Sequence, residues 1–161
     1  MNFILSPIHA KYAMSHATPK MQYFAKRLIA HESRTNDWSL SELQTAFVVI
    51  QKLRPLLEEL MGNTGFRALV TRSMLLAKKD VPALGNARID AHGGLEEFQE
   101  VPAEAGLEVA NTGGIIMLAE MLGLLGSFIG ELLTMQLVLE TWPELPLKGY
   151  FSQEDDHEKT N

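Results

Sequence analysis

A mainly all-α fold, an irregular helical bundle around one long central apolar helix, is what this sequence predicts, and three observations predict it. Apolar residues recur at spacings of three and four in four separate stretches. The most apolar of these, "GGIIMLAEMLGLLGSFIGELL" from Gly113 to Leu133, is far longer than a strand. Alternation of period two is confined to one short stretch, "NARIDAHGGL", which predicts an extended or hairpin segment near 86–94 and too little to build a sheet.

The elements follow in order. Pro19 suits a first helical turn, and Met21, Phe24, Leu28 and Ile29 draw one stripe, so a helix is expected over about 19–33 with Lys20, Lys26 and Arg27 off that stripe. In "SLSE", Ser39 and Glu42 have the spacing of a capping box, followed by Leu40, Leu43, Phe47 and Ile50. Pro55 disfavours helical geometry at Arg54, so that helix is expected to stop or kink there. "PLLEELM" then continues for a turn or two until Gly62, and Thr64 is the expected cap of the next helix. On that helix Phe66, Leu69, Val70, Leu76 and Ala77 share a face, while Arg67, Arg72, Lys78 and Lys79 read as a solvated basic side. "LEEFQE" reads as a short helix ended by Pro102, and Thr112 to Trp142 as one long helix stopped by Pro143. The domain organisation expected is an N-terminal arm over 1–18, a single helical domain over 19–151 and a disordered acidic tail over 152–161.

The long apolar stretch raises the question of a membrane. Ten Leu, Ile and Phe between 113 and 133 favour insertion by about 3–6 kcal/mol, and Glu120 and Glu131 at about 3 kcal/mol each cancel that. Glu120, Ser127, Glu131 and Thr134 would fall on one narrow side of a continuous helix. Three other apolar stripes need a partner, so the stretch is read as the bundle centre, with Gly123, Gly126 and Gly130 as points of close helix contact.

Composition narrows the function classes. The 161 residues are 46% apolar and 21% charged, the usual make-up of one globular domain. The absence of cysteine removes disulfides, thiolate metal sites and cysteine nucleophiles, and the start of the chain lacks the basic and apolar runs of an export signal, so a cytoplasmic setting is expected. Charge is segregated: residues 1–79 carry net +6 and residues 80–161 net −12. The basic residues lack the aromatic interleaving of single-strand binders, so the expectation is neutralisation between the halves or between two copies, with no nucleic-acid partner.

The stretches "GFRALVTRSMLLAKKDVP", "GGLEE", "LAEMLGLLGSFIGELLTMQLV" and "TWPEL" resemble a pattern in an uncharacterised family of small bacterial helical domains. The resemblance spans about residues 46–145 and implies a bacterial, intracellular setting, with no catalytic residue, cofactor or substrate to carry over.

Chemistry is sparse. The five histidines show no metal-ligand spacing, and the glycine pairs lack a phosphate-binding motif, leaving only a weak anion site where a helix begins at Gly113 and Gly114. Glu120 and Glu131 are the candidate ligand-binding residues, because a carboxylate in an apolar helix is open to a raised pKa. Eleven residues of helix would separate them by about 16 Å, beyond the reach of a catalytic carboxylate pair. Neither a cofactor nor a metal is expected. Three readings follow: a non-catalytic protein–protein interaction or regulatory domain that forms a homodimer; a small-molecule binder or enzyme with a pocket beside Glu120 or Glu131; and peripheral membrane association through the 112–142 helix. The eight methionines, which suit adaptable packing surfaces, favour the first.

Overall fold

The computed structural model describes residues 16–35, 41–96 and 112–145. Among these the chain forms four α-helices and no strand: α1 (Pro19–Thr35), α2 (Glu42–Asp80), α3 (Gly114–Ile129) and α4 (Glu131–Thr141), with a 3-10 turn over Pro82–Asn86. The expected arm up to residue 15, the helix at "LEEFQE" beyond Glu96 and the acidic tail over 152–161 lie outside the described residues.

The expected stripes are the buried ones. Met21, Phe24, Leu28 and Ile29 of α1, Leu43, Phe47, Ile50 and Leu53 of α2, and Phe66, Leu69, Val70, Leu76 and Ala77 further along α2 all enter one core. At its centre lies α3, whose residues Ile116 to Leu122 are buried without interruption and which packs most extensively against α2 and next against α1. A helix buried on nearly every side has no solvated face to keep polar, which is why its sequence resembles a membrane span.

Four details depart from the sequence reading. The capping box sits two residues later than expected: Ser41 Oγ accepts from the Gln44 N–H at 3.2 Å, and the Ser41 N–H donates to Gln44 Oε1 at 2.9 Å. The motif needs only a hydroxyl and an amide or carboxylate three residues apart, so "SLSELQ" offers it in two registers. Helix α2 continues through Pro55, because Leu53 and Leu57 anchor both sides of the proline in the core while Pro55 itself faces solvent. The break falls at Gly62, where the end of "PLLEELM" is expected, with φ of 76° and ψ of 170° outside helical space, but helical geometry resumes at once, so that Thr64 lies inside the second half of α2 and caps no new helix.

The fourth concerns the centre of the bundle. The expected helix over 112–142 is two helices, parted at Gly130 with φ 89° and ψ 152°. The break re-aims the chain, so that Thr134, Met135, Val138 and Trp142 turn into the core while Leu132 and Leu133 turn outward. The segment near 86–94 is extended with a tight turn: Ile89 and Leu95 form an isolated antiparallel bridge around Asp90, whose carboxylate accepts from the His92 and Gly94 amides at 2.8 and 2.9 Å.

Candidate functional site

Glu120 is fully buried on α3, and the reason lies in the residues leading into α1. The His16 N–H donates to Glu120 Oε2 at 2.9 Å, and Ala17 is buried beside it. One turn along, a Cβ on Gly123 would overlap the His16 carbonyl, so the backbone of the lead-in lies directly on the helix. The carboxylate is therefore occupied in holding this backbone. Glu131 begins α4, is partly exposed and pairs with Lys20 of α1. The side of α3 and α4 that carries these glutamates is thus where the start of α1 docks. Neither residue lines the two cavities described below.

The glycines expected at close helix contacts play three different parts. Gly123 receives the His16 backbone, Gly126 has only the Met21 methyl within ordinary contact distance, and Gly130 forms the break, with open space around it. The helix start at Gly113 and Gly114 is filled by the Leu84 side chain and the Glu42 backbone, which leaves no opening for an anion.

A third carboxylate, passed over in the sequence reading, organises the opposite end of the bundle. Glu32 is buried on α1, both of its oxygens accept from Lys52 Nζ of α2 at 2.8 Å, and Oε1 also accepts from the Trp142 indole at 2.6 Å. Three helices meet on this side chain. A glutamate in the last turns of an amphipathic helix reads as surface from its own segment, and the signal lies in residues 20 and 110 positions away.

Two concave regions remain. The first, of about 810 Å3, lies between α2 and the Asp90 turn and is lined by Gln44, Phe47, Gln51, Arg54, His92 and Leu95 among others. Three of its charged groups are engaged in structure: Lys52 pairs with Glu32, Arg54 donates to Glu58 at 2.6 Å, and Asp90 closes its own turn, whose amides hold that carboxyl below the usual range. The second, of about 360 Å3, is apolar and runs between the Gly62 break of α2 and the end of α3. Leu60, Met61 and Leu69 form one wall, Leu124, Phe128 and Ile129 the other, and Arg72 is its charged member. Phe128 is 69% exposed, Leu132 just beyond the Gly130 break 67%, and Leu60 48%.

Among the described residues no group of three or more His, Asp or Glu is placed to hold a metal ion, and no helix is long and apolar enough to cross a membrane. Comparison of the chain with family models, curated proteins and solved structures gave no match.

Proposed function

We propose that this chain is a non-catalytic protein–protein interaction or regulatory domain that works in the bacterial cytoplasm through the apolar surface at the junction of α3 and α4. The observation that carries the reading is the exposure of Phe128 and Leu132 on either side of the Gly130 break, beside an apolar groove. Exposed apolar patches rimmed by polar groups mark association sites, and a large ring left in water opposes solubility unless something covers it. The buried carboxylates support the same reading: Glu120 secures a backbone amide, and Glu32 secures Lys52 and Trp142. The lack of cysteine and the resemblance to small bacterial helical domains support the setting.

The test compares wild type with Phe128→Glu and Leu132→Glu as baits in native extract, alongside their masses in solution. The variants should keep the wild-type helical signal and lose its assemblies, with itself or with other proteins. Identical assemblies from wild type and variants would overturn the reading. Turnover or a thermal shift with a metabolite panel that the variants leave intact would replace it with a small-molecule site.

A further inference from the structure

We propose that the occupant of the groove is a second copy of this chain, docked about a twofold axis with each Phe128 seated in the groove of the other. The proposal rests on the interaction reading above and names its partner.

The shape of the surface is the first argument. Phe128 is at once a wall of the groove and a projecting ring, so the projection and the recess lie side by side on one patch. A twofold interface uses the same patch on both partners, and a patch with an adjacent projection and recess is complementary to itself. The two helix breaks flank it: Gly62 follows Met61 of one wall and Gly130 follows Ile129 of the other, and beyond the second break Leu132 is exposed. A small molecule fits this groove less well. Its volume is at the low end of the ~300–1,000 Å3 of ligand pockets, and among the described residues Arg72 is the one charged wall residue to orient a guest.

Charge is the second argument. Beyond Gly62 the α2 wall and its continuation carry Arg67, Arg72, Lys78 and Lys79 with no carboxylate up to Lys79, while Glu58 and Glu59 precede Leu60; α4, which continues the other wall, carries Glu140 and the Lys20-paired Glu131 and no cation. Among the described residues no carboxylate lies within ion-pair distance of Arg72. A twofold axis through the groove sets each basic α2 wall against the acidic α4 of the other copy, and so supplies Arg72 with a partner carboxylate.

Analytical ultracentrifugation of the full chain, across micromolar concentrations at low and high salt, tests the proposal. A dimer is expected that weakens in high salt, with Phe128→Glu and Leu132→Glu each raising its dissociation constant at least about thirtyfold, as loss of a central anchor does. Arg72→Glu should weaken it about tenfold and flatten its salt dependence. A monomer throughout the range would overturn the proposal, as would a dimer that both apolar variants leave at full strength. A monomer whose extract partners still depend on Phe128 overturns the second copy alone and leaves the interaction reading standing. If instead residues 1–15 of the same chain cover the groove, wild type and variants are all monomeric, and the second copy is again excluded.

Discussion

Gly62 and Gly130 interrupt their helices directly after Met61 and Ile129, which line one groove, each in a region of backbone space, at φ 76° and 89°, that side-chain-bearing residues avoid. Among the described residues nothing occupies the space where their Cβ atoms would go. Strain and packing are therefore separable here. Gly62→Ala and Gly130→Ala should each cost about 1–3 kcal/mol, although the methyl group meets no neighbour. Gly126→Ala, in a helix with only the Met21 methyl nearby, should gain up to about 1 kcal/mol. Urea unfolding midpoints for the three variants check both signs.

The Glu32 junction ties α1 to α2 and to the end of α4 by way of one buried carboxylate. Trp142→Phe keeps the ring and removes the indole donor, and should cost about 1.5–3 kcal/mol as a hydrogen bond to a charged acceptor. Lys52→Met removes the ammonium from a carboxylate that stays buried and should cost about 3 kcal/mol, the low end for a broken buried pair because the lysine is half exposed. Denaturant titrations of the two variants and their double would measure the coupling. A double variant whose loss is the sum of the singles would show that the three groups do not act together.

Glu42 opens α2 with one carboxylate oxygen buried and no hydrogen-bond partner for it among the described residues. Burial pushes its pKa up, against a smaller lowering by Lys26. A carboxyl with a raised folded-state pKa contributes stability that is fully present below its unfolded pKa and is lost as pH rises through the folded value. Glu42→Gln should therefore raise the Tm near about pH 7 and leave it little changed near about pH 3, where wild type is protonated as well. Melting curves at the two pH values decide it, and a gain at the acidic value alone would reverse the sign.

Leu125 and Leu132 lie seven residues apart on either side of the Gly130 break, one 1% and the other 67% exposed. Leu125→Asp places a charge in the core without a partner and should unfold the protein, at a cost of several kcal/mol. Leu132→Asp should leave the helical signal intact and change only association. Circular dichroism with light scattering on both variants tests the pair. An unfolded Leu132 variant would mean that the outer side of the junction belongs to the core.

The core was legible from spacing. Met21, Phe24 and Leu28, then Leu43, Phe47 and Ile50, then Phe66, Leu69 and Val70 are buried where their periods place them, and the short turn around Asp90 lies inside the stretch where the period changes. Pro55 and the capping register were misread for one reason: both were judged from local preference. Each preference is worth on the order of 1–3 kcal/mol, and the burial of Leu53 and Leu57 on either side of the proline outweighs it.

The candidate carboxylates mark where spacing ceases to inform. Glu120 and Glu131 stand out because they interrupt an apolar run, and the sequence by itself determined that such charges need partners. Which partners they meet, the His16 amide and Lys20, was decided by how the start of α1 crosses α3 and α4. Periodicity is a property of one helix and states which residues leave water; it carries no information about which other element receives them. Helicity and the core-facing stripes therefore belonged to the sequence alone, since they follow from 3.6 residues per turn and apolar burial. The break at Gly130, the resumption of the helix directly after Gly62, the three-helix junction on Glu32 and the exposed ring of Phe128 belonged to the tertiary structure. Each depends on a contact between residues far apart in the chain, or on a glycine that leaves helical space only because the helices packed on either side hold it there.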